Sequence, residues 1–291
     1  MVNYLKYGFF LLLISCVTKE DHITEVFKLP KNLKEISGIT YDAKTNLIWT
    51  LEDSGNENKI YALDKNGQIE RTVTINQTDN VDWEDITLDS KGDLYIGDFG
   101  NNDNTRTDLC IYKLSASGLT SAALTPAYKV SFYYPEQTDF PPKKKALFYD
   151  CEAFFEFKNN FYLFTKNRSK GFDGTTFLYK IPNTPGTHKA TLMGSFITCN
   201  DYTTCAITSA AISQDEKKIV LLGHSKVWLF ENFVGDDFLK GTATELELHH
   251  YSQKEAVCFK DAATLLIADE KTKKIGGKLY QSNIATLKSK P

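Results

Sequence analysis

The stretch Glu35-Ile-Ser-Gly-Ile-Thr40, followed by Leu47-Ile-Trp-Thr-Leu51 and Lys59-Ile-Tyr-Ala-Leu63, decides the fold. Each piece is short and rich in Ile, Leu, Trp and Tyr. Segments carrying Asn, Asp or Gly separate the pieces, which is the pattern of strands joined by turns. The opening recurs four times, at Trp83-Glu-Asp-Ile-Thr87, Cys151-Glu-Ala-Phe154, Thr208-Ser-Ala-Ala211 and Lys254-Glu-Ala-Val257. A second strand is expected after each opening, at 47–51, 94–97, 161–165, 219–223 and 265–268. The third strand carries an aromatic at one matching place: Tyr61, Tyr112, Tyr179, Phe230 and Tyr280. A fourth is expected at 69–75, 128–133, 191–197 and 245–250. One such unit cannot bury both of its faces, so repetition every 46 to 68 residues predicts units packed face to face.

The expected fold is therefore all-β: a β-propeller with five blades of four antiparallel strands. Six blades result if the long interval between Glu84 and Glu152 conceals another. The fifth unit ends after its third strand, and residues 23–29 can supply the fourth. The N-terminal strand then closes the ring and leaves no open sheet edge. Residues 134–147 read as a loop inserted between blades. A two-domain β-sandwich would not give this repeat. Trp49, Trp83 and Trp228 fall in or beside strands and are assigned to the core between blades. His249 and His250, neighbours on an expected strand, point to opposite faces and make a poor metal pair.

With 24% charged and 42% hydrophobic residues and a formal net charge of -3, the composition excludes disorder and a multi-pass membrane protein. The longest basic run is Lys143-Lys144-Lys145, so no nucleic-acid partner is expected. Lys6, the apolar run 7–14 and the small Ser15 form a signal peptide over residues 1–15, too short to span a bilayer. Leu13-Ile-Ser-Cys16 looks like a bacterial lipobox, which implies a lipid on Cys16 and membrane contact through it. Residues 16–22 are then an anchor linker and 23–291 a single propeller domain. Val17-Thr-Lys-Glu-Asp21 resembles the surface-export signal of Bacteroidetes lipoproteins, which implies the outer membrane or cell surface of a Gram-negative bacterium. Export places the thiols in an oxidising compartment. Cys199 and Cys205 flank a polar loop and form the candidate disulfide. Cys110, Cys151 and Cys258 lie in apolar strand patterns and read as small buried hydrophobes.

Aligning the units places two rings of polar residues at one end of the central channel. Ser37, Glu84, Glu152, Ser209 and Glu255 open the first strands. Asp53, Asp98, Lys166, His224 and Asp269 end the second strands 14 to 16 residues later, the length of one strand down and one back. Three Glu and three Asp in one funnel repel, raise one another's pKa and require a counter-charge. A divalent cation, a cationic ligand, or pairing with Lys166, His224 and backbone N–H groups could supply it. The candidate metal ligands are Asp53, Asp98, Asp269, Glu84 and Glu255, an all-oxygen set that suits Ca2+. The candidate ligand-binding residues are Glu84, Glu152, Glu255, Ser37 and Ser209.

The first reading is thus an exported propeller that binds a small ligand or divalent cation at an acidic channel mouth. The second is a metal-dependent hydrolase of phosphate or carboxylic esters or lactones, with His224 as general base and Lys166 stabilising an oxyanion or phosphate. The third is a scaffold that contacts another envelope protein, its acids capping turns. No nucleotide or organic cofactor is expected, and the sequence contains no Gly-x-Ser-x-Gly, His-Glu-x-x-His or phosphate-binding Gly-Lys-Ser/Thr motif.

The phrases from Glu35 to Trp49, Lys59 to Gly67 and Asp82-Trp-Glu-Asp-Ile86 resemble the SdiA-regulated propeller family and the related esterase-like phytase propellers. Both pair a Ser-Gly strand with a later acid-Glu strand. The mature chain as a whole resembles lipoprotein propellers of Bacteroidetes, most closely in Gly97-Asp-Phe-Gly-Asn-Asn102 and Asp150-Cys-Glu-Ala-Phe154. These resemblances imply the fold and an envelope location more than an activity.

Overall fold

The computed structural model describes residues 22–273 and 275–288. The expected signal peptide, Cys16 and all of the expected anchor linker but His22 lie outside the described residues.

Five sheets stand around a central axis. Their inner strands are Ile36–Asp42, Trp83–Leu88, Asp150–Phe157, Ser209–Ile212 and Lys254–Phe259. Each lies beside the next, and the last lies beside the first. The chain runs outward through each sheet by antiparallel hairpins, so each repeat in the sequence is one blade. The ring closes as expected: Thr24–Lys28 pairs antiparallel with Lys278–Asn283 and becomes the outer strand of the fifth blade. Ile23 and Phe27 are buried there.

The long second interval holds no sixth blade. Part of it is a two-residue strand, Ala123–Leu124, that adds in parallel to the outer edge of the first blade. Gly186–Lys189 adds in the same way to the second blade. Each latches the rim of one blade with chain belonging to the following one. In the fourth blade the outer strand is Thr242–Glu247, earlier than the expected 245–250. Leu248 continues the apolar alternation and is buried, but its N–H already bonds the Ser225 carbonyl. His249 then turns the chain at φ 48°. The two histidines therefore lie in a loop, and the strand-based argument about their faces does not apply.

Apolar clusters fill the spaces between blades, with Trp49 and Trp83 in one and Trp228 in another. Tyr61, Tyr179, Phe230 and Tyr280 are buried as the repeat requires, and Tyr112 packs partly buried against its cluster. Cys199 and Cys205 form a disulfide, while Cys110, Cys151 and Cys258 are free and buried.

Polar groups close the channel halfway along. Asp85 accepts the Ile86 N–H on one oxygen and the Phe154 N–H and Ser209 hydroxyl on the other, at 2.9, 3.2 and 3.3 Å. The Val257 N–H in turn donates to the Ser209 hydroxyl oxygen at 3.2 Å. The first blade contributes by yielding space. A Cβ on Gly38 would lie 2.8 Å from the Asp85 Cα and 2.7 Å from the Ile86 nitrogen. All five inner strands thus meet at one buried carboxyl, with a cavity on either side.

Candidate cation site at the channel mouth

Four of the five blades share a local device. Register between inner and second strands slips at Ile36/Gly38, Trp83/Asp85, Cys151/Ala153 and Lys254/Ala256. The extra residue in each case is Ser37, Glu84, Glu152 or Glu255. A β-bulge re-aims its extra side chain, here toward the axis. The fourth blade has no bulge, and Ser209 pairs directly with Leu222. The second strands return to the same level, since Trp83 faces Asp98, Asp150 faces Lys166 and Lys254 faces Asp269.

The funnel encloses about 200 Å³, and Ser37, Asp53, Glu84, Glu152, Lys166 and Glu255 are among its walls. One side is internally neutralised. Glu152 binds Lys166 at 3.1 Å and Arg168 at 2.7 Å. Arg168 also bonds Asp150 at 2.6 Å and the Tyr202 hydroxyl at 2.6 Å. Burial opposes the charge of Lys166, yet Glu152 and Glu255 hold its ammonium above the ordinary range. Glu255 meets His224 Nε2 at 3.3 Å. Burial would raise the Glu255 carboxyl, but Lys166 and His224 bring it below the ordinary value.

The other side has no such partners. Asp53, Asp82 and Glu84 each offer an oxygen within 4.8 Å of the others. Glu84 is 5% exposed, and its carboxylate has neither hydrogen bond nor ion pair among the described residues. Burial and then the charges of Glu152 and Asp53 push it well above the usual range. Burial followed by the Asp53 charge pushes Asp82 to about 7. Asp53 is raised as well, chiefly by burial.

The two sides differ at two matching places in a repeated pattern: Asp98 stands where the other side has Lys166, and Gly100 where it has Arg168. Asp82-Trp83-Glu84 and Asp150-Cys151-Glu152 are the same acid-x-Glu step in successive blades. Arg168, two residues beyond Lys166, neutralises the second pair. The matching place, two residues beyond Asp98, is Gly100. A Cβ there would stand 2.3 Å from Glu84 Oε1 and 2.4 Å from Asp82 Oδ2. The first pair therefore closes over a glycine where the second meets a guanidinium.

Several sequence-predicted site residues take other roles. Ser209 is a member of the channel plug, and Ser37, although on the funnel wall, donates its hydroxyl to the Trp83 carbonyl at 2.8 Å. Asp98 is held by Arg106 at 2.9 Å and accepts the Asp82 N–H. Asp269 accepts the Lys278 N–H at 2.8 Å and the Tyr280 hydroxyl at 2.9 Å, fully buried within its own blade. Both are strand-end caps, the behaviour of acids beside turns. His224 pairs with Glu255 beside the funnel. Asp82, Arg168, Arg106 and Glu270 were missed; Glu270 stands on the funnel wall, its carboxyl pushed to about 7 by burial and then by the charges of Glu255 and Asp53. The repeated acid-x-Glu step pointed to Asp82, whereas the reach of Arg168 and Arg106 depends on loop paths that the repeat does not specify.

Comparison with solved structures gives the fold. The chain is similar to the PQQ-bound aldose sugar dehydrogenase of Streptomyces coelicolor at 10% identity and a TM-score of 0.53, covering 89% of this chain and 97% of that one. It is also similar to a gluconolactonase of Xanthomonas campestris, at 13% identity and a TM-score of 0.45 over 85% of this chain and 71% of that one. A putative gluconolactonase gives 10% identity and a TM-score of 0.47 over 91% and 93%. No curated protein matches the sequence. Residues 18–133, which hold the Ser-Gly strand, the acid-Glu strand and the whole of the Asp53–Asp82–Glu84 cluster, match the SdiA-regulated family.

Proposed function

We propose that this chain is an exported, lipid-anchored β-propeller that binds a divalent cation, Ca2+ by its all-oxygen donors, through Asp53, Asp82 and Glu84. The observation that carries the reading is Glu84: a buried carboxylate, beside two others, with no protein cation on it among the described residues. A buried charge without a partner is expensive. The neighbouring blade answers the same step with Arg168, and a bound cation answers it here. Ca2+ accepts flexible oxygen coordination, and open positions around it can take ligand oxygens or water.

The test is a Ca2+ titration of thermal stability on the chain from Thr18, which retains every blade and the closing strand. At about 100 times its Kd, a cation bound only to the native state adds roughly 2.7 kcal/mol, a rise of several degrees in Tm. Wild type should show that rise and Asp82→Asn/Glu84→Gln should lose it. No rise in wild type, or an equal rise in the variant, would overturn the assignment.

One observation favours a hydrolytic reading of the same mouth: the His224 imidazole is held through Nε2 at 3.3 Å by Glu255, a residue of the funnel wall. A carboxylate that orients an imidazole is the arrangement of a general base. Under that reading His224→Ala abolishes ester or lactone hydrolysis while the Ca2+-dependent rise in Tm remains.

A further inference from the structure

The plug at Asp85 leaves a second cavity at the opposite end of the channel, about 600 Å³ against 200 Å³ for the funnel. That volume lies within the range of small-molecule sites. The far ends of the inner strands and the hairpin turns that follow them form its walls. The half-buried Tyr41, Leu88 and Ile212 supply apolar surface, and Ala211, 8% exposed, is a small side chain on the inner-strand wall.

Two features define what fits. Thr40 and Thr87 line the cavity, each 8% exposed, and neither hydroxyl has a hydrogen-bond partner among the described residues. The charged groups at the rim are largely engaged by their own turns. Asp42 accepts the Lys44 N–H and the Thr45 hydroxyl. Asp89 accepts three turn N–H groups and the Tyr95 hydroxyl. The Lys44 ammonium donates to the Lys91 carbonyl, and Glu156 accepts the Asn159 N–H. With Lys158 3.8 Å from Glu216, and four acids (Asp42, Asp89, Glu156, Glu216) against three lysines (Lys44, Lys91, Lys158) on the wall, this mouth is close to neutral, in contrast with the funnel.

We infer that this opposite mouth is a second ligand site, independent of the cation, for an uncharged small molecule. The ligand has an apolar body and hydrogen-bonding groups that reach Thr40 and Thr87. The plug separates it from the acidic cluster, so the two sites bind without exchanging ligands.

The probe for the test is N-phenyl-1-naphthylamine, a neutral apolar fluorophore with one N–H, titrated into the chain from Thr18. Wild type should give saturable enhancement with one site per chain. Ala211→Phe, which fills the cavity, should abolish it, and Glu84→Gln should leave it unchanged. Thr40→Val/Thr87→Val keeps the volume and removes both hydroxyls. The bond that the probe can make to one of them is then lost, and binding weakens by up to about tenfold. Enhancement that does not saturate, or that persists in a folded Ala211→Phe variant, overturns the proposal. If Ala211→Phe does not fold, unchanged affinity in the valine pair overturns it instead.

Discussion

Asp85 accepts donors on both carboxyl oxygens, from its own strand and from two other blades. Burial raises this carboxyl well above its ordinary pKa, against the pull of those same hydrogen bonds. Asp85→Asn keeps the shape but turns an amide NH2 toward a backbone N–H whichever way it is placed. An unsatisfied buried donor costs about 1–3 kcal/mol, and chemical denaturation should read a loss of that size. Gly38→Ala should lose about 1–3 kcal/mol by overpacking, because its Cβ meets backbone that cannot yield. A neutral result at both positions would mean that the plug does not hold the blades together. The opening phrase of the repeat advertised Gly38 and Glu84 alike, but it could not say which acid would be paired. That depends on Arg168 and Gly100, two matching loop positions whose difference becomes meaningful only once the blades stand side by side.

At the scale of the strand, hairpin pairing and the returning N-terminus made the architecture legible. Period-two alternation marks each strand, and equal offsets bring the two rings of residues to one level. The bulges were less visible, since an extra residue does not break an apolar pattern. The fourth blade shows the limit of that pattern: Leu248 alternates correctly yet packs from a loop. Closure by Thr24–Lys28 carries a direct expectation. A chain begun at Leu29 loses the burial of Ile23 and Phe27, about 3–6 kcal/mol, and exposes the edge of Lys278–Asn283. Its Tm should fall by roughly 10 °C and it should self-associate on size exclusion. An unchanged, monomeric truncation would show that closure is dispensable.

The whole molecule is a channel stoppered at its centre, acidic at one mouth and nearly neutral at the other. Its acidic mouth makes stability depend on pH and on cations together. The Asp82 carboxyl rises from 3.8 to about 7 on folding, so the folded chain holds a proton that the unfolded chain releases. That contribution is complete below about pH 4 and is lost as pH rises through about 7. In EDTA, wild type should therefore lose stability relative to Asp82→Asn between about pH 4 and pH 7. A cation on the same oxygens displaces the proton and reverses the loss. The most direct measurement is calorimetric titration of Ca2+ into the metal-stripped chain at pH 7, in buffers of different ionisation enthalpy. The expected result is one ion per chain with release of protons, both absent in Asp82→Asn/Glu84→Gln. Absence of binding, or binding that survives in the variant, would contradict a cation site at Asp53, Asp82 and Glu84.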